Sequence, residues 1–348
     1  MNRPEADAQG AAQGKDVCRS RVQRALVYVF AIACLLWVFH DIYPRQLFAA
    51  MSIANWGFVI LAISVDILTY ILQGIRWKLL LAPVGRLSIL RSTQAIYAGL
   101  FTNELVPLRF GELVRAFLVS RWLSSRFPPV VPSMVIERCL DAFWLAAGIA
   151  VAATLMPLPR NLIKAGEVLG GIVLLAALLF AGMVSRTGKE FECSDHVSSS
   201  RVLRGLSGFA SQLAGGLRDI GFSYRLYLAV LLSGGMLVCQ ALALWFMMQA
   251  CRIGLPLAAA TIILLVIRLG TALPNAPANV GSFQFFCVLA FSLFGVEKTL
   301  AAGFSIIYFL TLTIPLWILG LLALSRSGIA LSTIRVGVAA LRHDAGPA

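Results

Sequence analysis

The sequence predicts an all-α polytopic membrane protein, with six full spans plus two re-entrant helical hairpins arranged as an inverted-topology repeat. Three observations predict it. The 348-residue chain is 59% hydrophobic with only 13% charged residues and a mean hydropathy of +0.85, whereas a soluble surface needs roughly a quarter or more charged side chains. Apolar stretches near the ~20 residues that cross a bilayer recur along the chain. The Lys and Arg residues gather in alternate connecting segments.

The elements follow in order. Residues 1–24 form a polar tail that ends in Arg19, Arg21 and Arg24. The apolar run after it has no clear small-x-small cleavage site, so 25–43 reads as a retained first span rather than a cleaved signal. Further full spans are expected at 53–73, 130–155, 167–185, 225–250 and 300–324. Two more apolar regions are interrupted: 93–123 at Asn103-Glu104-Leu105-Val106-Pro107-Leu108-Arg109-Phe110-Gly111, and 255–294 at Pro274-Asn275-Ala276-Pro277-Ala278-Asn279-Val280-Gly281. Each limb is short for a crossing, and irregular backbone at membrane depth survives only where it is buried in protein or lines a wet cavity. Both regions are therefore expected to enter and leave on one side; two true spans in each would leave the charge count unchanged, and that alternative stays open.

The order span, span, broken hairpin, span thus occurs twice with opposite orientation, the pattern that marks a midplane substrate site in transporters. The expected organisation is a cytoplasmic tail at 1–24 and a first membrane repeat at 25–157, broken near 93–123. A second repeat at 158–324 is broken near 255–296, and 325–348 is a second cytoplasmic tail. Within the second repeat, Val202, Leu206, Phe209, Leu213, Leu217 and Ile220 recur at helical steps and predict an amphipathic cytoplasmic helix at 201–220, read as a connector.

The net charge of +13 raises the question of nucleic acid, but its distribution answers differently. With the N-terminus inside, 21 of the 29 Lys and Arg fall in cytoplasmic segments, five in outer loops and three, Arg109, Arg138 and Arg268, within the membrane. That asymmetry predicts a bacterial inner-membrane protein with both termini cytoplasmic and basic segments on anionic lipid. Arg76-Trp77-Lys78 reads as a cytoplasmic anchor, and the tryptophans as interface or packing aromatics. The seven cysteines form no C-x-x-C pair and read as small buried hydrophobes, so no metal or cofactor is expected.

Charges at membrane depth cost about 2.5–3.5 kcal/mol each at a helix centre, so those present need an explanation. Asp66 lies late in the second span; Glu104, Arg109, Glu112 and Arg115 surround the first break; Glu137, Arg138 and Asp141 cluster near the start of the third; Arg268 precedes the second break. One reading is a set of structural ion pairs locking hairpin to helix. The other is a head-group site. Glu137 and Asp141 share a helix face, Arg109 and Arg115 offer bidentate donors to a phosphate, and the limb opening at Gly111 and Glu112 offers free N–H groups, with Glu112 capping them when the site is empty. Asn279 and Gly281 lead into a second exposed helix N-terminus aimed at the same centre. Asp66 and Glu104 are candidates for proton coupling, with helix packing as the alternative for Asp66.

The runs P-x-R-x-G-E-x-x-R (Pro107 to Arg115), E-R-x-x-D (Glu137 to Asp141) and P-x-x-P-x-x-x-G (Pro274 to Gly281) resemble the lysylphosphatidylglycerol synthase transmembrane family over nearly the whole chain. The resemblance implies a flippase-like module that moves or handles lipids, some members accompanying hopanoid or glycolipid pathways. It carries over Arg109, Gly111, Glu112, Arg115, Glu137, Arg138 and Asp141. The chain stops about 24 residues after its last span, without the soluble aminoacyl transferase of the full synthases, so lysyl-lipid synthesis is not expected. Ala278, Asn279 and Gln284 stand where relatives often show glycine and an acidic residue, which leans the expected substrate toward hopanoid- or polyprenyl-linked lipids.

The expectation is a non-enzymatic translocator of an anionic or isoprenoid-derived lipid. The alternative is a scaffold or lipid-phosphate-dependent transferase accessory. His40, His196 and His343 lie at or beyond span ends and no H-E-x-x-H occurs. Expected partners are the lipid substrate, lipid-biosynthesis enzymes and a second copy of the chain.

Overall fold

The computed structural model describes residues 28–51, 53–105, 111–123, 130–155, 160–185, 221, 223–272 and 276–327. Both tails, the amphipathic segment 201–220, Arg109 with its neighbours 106–110, and residues 273–275 lie outside the described residues. Among the described residues there are only helices and turns. They are α1 (Tyr28–Phe39), α2 (Pro44–Ala50), α3 (Trp56–Leu80), α4 (Ile89–Leu105), α5 (Gly111–Trp122), α6 (Val131–Leu155), α7 (Arg160–Ser185), α8 (Tyr224–Ala250), α9 (Leu257–Thr271), α10 (Ser282–Ser292) and α11 (Lys298–Ser325).

Local chemistry sets the ends of these helices. Asn55 caps α3, its side chain accepting from the Gly57 N–H at 2.9 Å. Proline opens α2 at its first turn, where the missing N–H costs nothing. Gly281 precedes α10 at φ +88°, a conformation that strains any residue with a Cβ.

Among the described residues three helices, α3, α8 and α11, are long and apolar enough to cross a membrane by length and composition. At 25–28 residues they span about 37–42 Å, more than the ~30 Å hydrocarbon core. Helices α6 and α7 have similar length but carry charges. The two interrupted regions resolve into helix pairs. Limbs α4 and α5 have 17 and 12 residues, α9 and α10 have 15 and 11, so each reaches only about 17–25 Å. None of the four limbs alone has the ~20 residues of a crossing.

Packing pairs the elements of the first half with those of the second. Helix α3 lies along α8, the equivalent helix of the other half. Ala54, before α3, donates its N–H to the Ala250 carbonyl at the end of α8 (2.8 Å), while Arg76 near the end of α3 reaches Ser233 near the start of α8 (2.9 Å). The equivalent helices therefore run antiparallel, as an inverted repeat requires. Each hairpin also packs against the last helix of the other half, α4 on α11 and α9 on α6. The first hairpin is wrapped by one apolar core containing Ile96, Leu118, Leu316 and Leu324, the second by another containing Ile263, Phe291, Phe304 and Leu244. On the outside, α7 exposes Val168, Ile172, Leu175 and Leu178, an apolar surface suited to lipid tails rather than water.

Helix α3 corrects the expected second span. It continues past residue 73 to Leu80, and Arg76 and Trp77 are fully buried inside the protein rather than anchored at the cytoplasmic surface. Arg115, expected in a cytoplasmic segment, is likewise buried. Of the positive charges assigned to the inner face, these two belong to the interior, because carboxylates of α6 are there to pair with them.

Close backbone approach holds each hairpin shut. A Cβ on Gly111 would lie 1.8 Å from the Gly99 carbonyl oxygen, and one on Gly270 would lie 2.2 Å from the Phe286 ring. Gly111→Ala is expected to lower stability by about 1–3 kcal/mol through overpacking. Gly235→Ala, with nothing within 4 Å of the added methyl, is expected to be neutral or to stabilise by up to about 1 kcal/mol. Thermal unfolding of the two variants in the same detergent checks the contrast.

Candidate functional site

The site begins with a polar stripe on α3. Asp66, Thr69, Gln73 and Arg76 recur at steps of three and four, one face of an otherwise apolar helix. The lower part of that stripe meets Glu137 and Asp141, four residues apart on α6. Arg76 donates from Nη2 to Glu137 Oε1 at 2.9 Å and from Nη1 to Asp141 Oδ1 at 2.6 Å and Ser233 Oγ at 2.9 Å. Gln73 Nε2 donates to the same Glu137 oxygen at 2.8 Å. From α5, Arg115 Nη2 donates to Glu137 Oε2 and Nη1 reaches Oε1 at 3.3 Å. Glu137 and Arg76 are both 0% exposed, so two guanidinium groups clamp one fully buried carboxylate.

Trp77 completes this layer. Its indole N–H donates to Ser133 Oγ at 3.1 Å, and its ring centroid lies 4.1 Å from the Arg115 guanidinium, a cation–π contact.

Above the clamp lies a polar cavity of about 230 Å³. Tyr70 and Gln73 line it from α3, Gly99 and Asn103 from α4, and Gly111, Glu112 and Arg115 from α5. The remaining wall comes from Arg138 and Asp141 of α6, Gln240 of α8 and Arg268 of α9. Arg138 pairs with Glu112 and reaches Asp141 at 3.4 Å; its side chain is 49% exposed. Asp141 is thus shared between a buried and an open arginine. Arg268 has no carboxylate within 4 Å among the described residues, although it lies within electrostatic reach of Asp141, Tyr70 and Tyr308. Four arginines of the described chain therefore face three carboxylates, and Arg268 carries the unmatched charge.

Six expected residues line this cavity: Gly111, Glu112, Arg115, Arg138, Asp141 and Arg268. Glu137 lies beneath it as the pivot of the clamp. Three expectations are corrected. The Gly111 N–H at the start of α5 is not free, because Asn103 Oδ1 accepts it at 2.7 Å. Glu112 does not cap that helix in this arrangement but pairs with Arg138. Asn279 and Gly281 do not line the cavity: a Cβ on Gly281 would lie 2.4 Å from the Ala31 carbonyl of α1, and its N–H donates to Gln284 Oε1 at 2.8 Å. Among the described residues of the second hairpin, Arg268 is the one that lines the cavity, while the Pro277–Asn279 turn packs against α4. Arg109 lies outside the described residues.

Asp66 and Glu104 stand apart from the cavity lining. Glu104 accepts from Trp317 of α11 with one oxygen, and its other oxygen is buried without a partner. Arg76, Gln73, Asn103, Ser233 and Gln240 were missing from the sequence-based site. For the first two, the α3 polar stripe was the available signal. Asn103, Ser233 and Gln240 join only through folding.

These features define a class first: a polytopic α-helical membrane protein with an inverted repeat and an arginine-rich cavity between its halves. The chain belongs to the family described as lysylphosphatidylglycerol synthase TM region, whose model matches residues 24–320. It is similar to the UPF0104 membrane protein MJ1595 of Methanocaldococcus jannaschii, 20% identical over 88% of this chain and 95% of the relative. It is also similar to a UPF0104 membrane protein of Methanothermobacter thermautotrophicus, 23% identical over 81% and 86% respectively.

The clamp makes a stability prediction. Arg76→Ala leaves Glu137 and Asp141 short of a cation in a buried setting and is expected to destabilise by about 3–5 kcal/mol. Arg76→Ala combined with Glu137→Ala is expected to cost less than the sum of the single changes. Detergent-solubilised melting curves of the four-protein cycle measure the coupling, and strict additivity would show that the pair is not an energetic unit.

Proposed function

We propose that the chain is a lipid translocator that takes a phosphate-bearing head group into the cavity between its two halves. One observation supports this reading above the others: Arg268 faces a polar cavity without an ion-pair partner among the described residues, and a low-dielectric site with surplus guanidinium charge favours an anion. Arg138 and Arg115 line the same space, and an incoming phosphate can share or displace Glu112 at Arg138. The lipid is an anionic phospholipid or an isoprenoid phosphate, since each of these carries a phosphate that the arginines can grip. The apolar exterior of the helices leaves the tail in the bilayer while the head crosses through polar surroundings.

The transferase reading has less support. Its acid and base would have to come from Glu137 and Asp141, and both are held by Arg76. A carboxylate locked in a buried ion pair is poorly placed to exchange a proton with substrate. The concentration of Lys and Arg in alternate segments supports an inner-membrane location with both termini cytoplasmic.

Arg268→Ala in proteoliposomes is expected to slow transbilayer movement of a fluorescent anionic phospholipid on the order of 10-fold or more. Melting should change little, because no ion pair is lost. Leaflet-selective quenching reads the rate, and undiminished movement in a variant that reconstitutes normally would reject the cavity as the head-group site.

A further inference from the structure

Asp66 is a buried carboxylate that the clamp and the cavity do not use. It lies near the middle of α3, 6% exposed, and no described residue gives it a hydrogen bond or ion pair. Three phenols stand around it. Tyr70 follows one turn later on the same face of α3, Tyr97 comes from α4 and Tyr308 from α11, each within electrostatic reach of the carboxylate. The Tyr97 hydroxyl is itself buried without a partner, and the Tyr70 and Tyr97 rings are 5.3 Å apart. Other titratable groups act on these phenols. Glu104 of α4 acts on Tyr70; Cys287 of α10 and Arg268 of α9 act on Tyr308. Helices α6 and α8 bring no charge to bear on Asp66.

Asp66 is a buried carboxylate without a partner among the described residues, and the partnerless Tyr97 hydroxyl lies within its electrostatic reach; buried polar groups are otherwise paired, so the carboxylate calls for a ligand. The surroundings select that ligand. A phenol both donates and accepts, so tyrosines can donate to an ionised carboxylate and, after a small rotation, accept from a neutral one. We propose that Asp66 is a proton-binding site, taking up one proton from water to become the neutral acid and returning it to restore the carboxylate, with Tyr70, Tyr97 and Tyr308 as its walls.

The site is wired to the cavity. Arg268 lies within electrostatic reach of Tyr70 and Tyr308, the same phenols that flank Asp66. An anion that neutralises Arg268 removes a positive charge from the neighbourhood of these phenols, so proton and anion uptake favour one another, and by linkage the effect is reciprocal. This coupling rests on the anion reading of the cavity; the proton site does not.

Infrared difference spectroscopy of the purified full chain, stepped from mildly alkaline to mildly acidic buffer, tests both. A carbonyl stretch of a protonated carboxyl is expected to grow on acidification and to be absent from Asp66→Asn. Tyr97→Phe, which removes only a hydroxyl, is expected to keep the band while shifting its frequency and midpoint; if Asp66→Asn yields no protein, this shift carries the test. A spectrum in which neither variant alters a titrating carboxyl band would overturn the proposal. Loss of the band on adding sodium chloride at fixed pH, with potassium chloride inert, would overturn it in favour of a sodium site. Inorganic phosphate is expected to move the midpoint to higher pH in the wild-type protein and not in Arg268→Ala. A band that titrates but ignores phosphate would sink the coupling and the anion reading together, and leave the proton site standing.

Discussion

A carboxylate with no access to water, Glu137, is the constraint on which the rest of this structure depends. An ion stripped of solvent is tolerated only when its partners return what hydration supplied. Glu137 therefore needs guanidinium groups from two directions, and it obtains Arg76 from α3 and Arg115 from α5. Those pairings fix the end of α3 against α6 and bring the second limb of the first hairpin over both. Ser233 joins α8 to the same arginine, so four helices are registered by one charged knot. Breaking any member leaves a buried charge uncompensated, which makes the knot a device for choosing one packing over alternatives as well as a source of stability.

The inverted repeat determines where the knot can open into a cavity. Equivalent helices α3 and α8 run antiparallel along the centre of the molecule, and each short hairpin is inserted against the terminal helix of the other half. Limbs too short to cross the bilayer alone are packed against other helices of the protein, α4 on α11 and α9 on α6. The two hairpins are not used alike. In the first, the contact of Gly99 with Gly111 draws α5 close enough for Glu112 and Arg115 to enter the polar space. In the second, Gly281 packs against α1, and among the described residues Arg268 is the one that lines the cavity. The departure from symmetry leaves the described cavity lining with three arginines against two carboxylates.

Much of the architecture was legible in the residues. Composition and hydropathy require a membrane protein, and the prolines and glycines at residues 107, 111, 277 and 281 locate the interruptions. The spacing of Glu137 and Asp141 puts two carboxylates on one face, as observed in their shared arginine. Arg76 was misread for a physical reason. Hydropathy treats an arginine near the end of an apolar run as an anchor at the interface, since isolated guanidinium in lipid is costly, and it cannot register that carboxylates 61 and 65 residues later are folded against it. Arg115 was assigned to a cytoplasmic segment on the same grounds. The helix N-termini at residues 111 and 282 were read as open because local sequence shows the orphan N–H groups but not the side chain that meets them. For Gly111 that side chain is Asn103, from the preceding helix.

The sequence by itself determined the solvent, the helical class, the two-fold repetition of elements and the short list of charged residues at membrane depth. These depend on local quantities: transfer free energy, periodicity and turn chemistry. Which arginine meets which carboxylate was decided only by the tertiary structure. So was the retention of Arg268 without an ion-pair partner among the described residues while Arg76 has three, and the placing of phenols from two other helices within electrostatic reach of Asp66. Those outcomes depend on long-range packing, where the pairing free energy of a buried charge is set by neighbours far away in the chain.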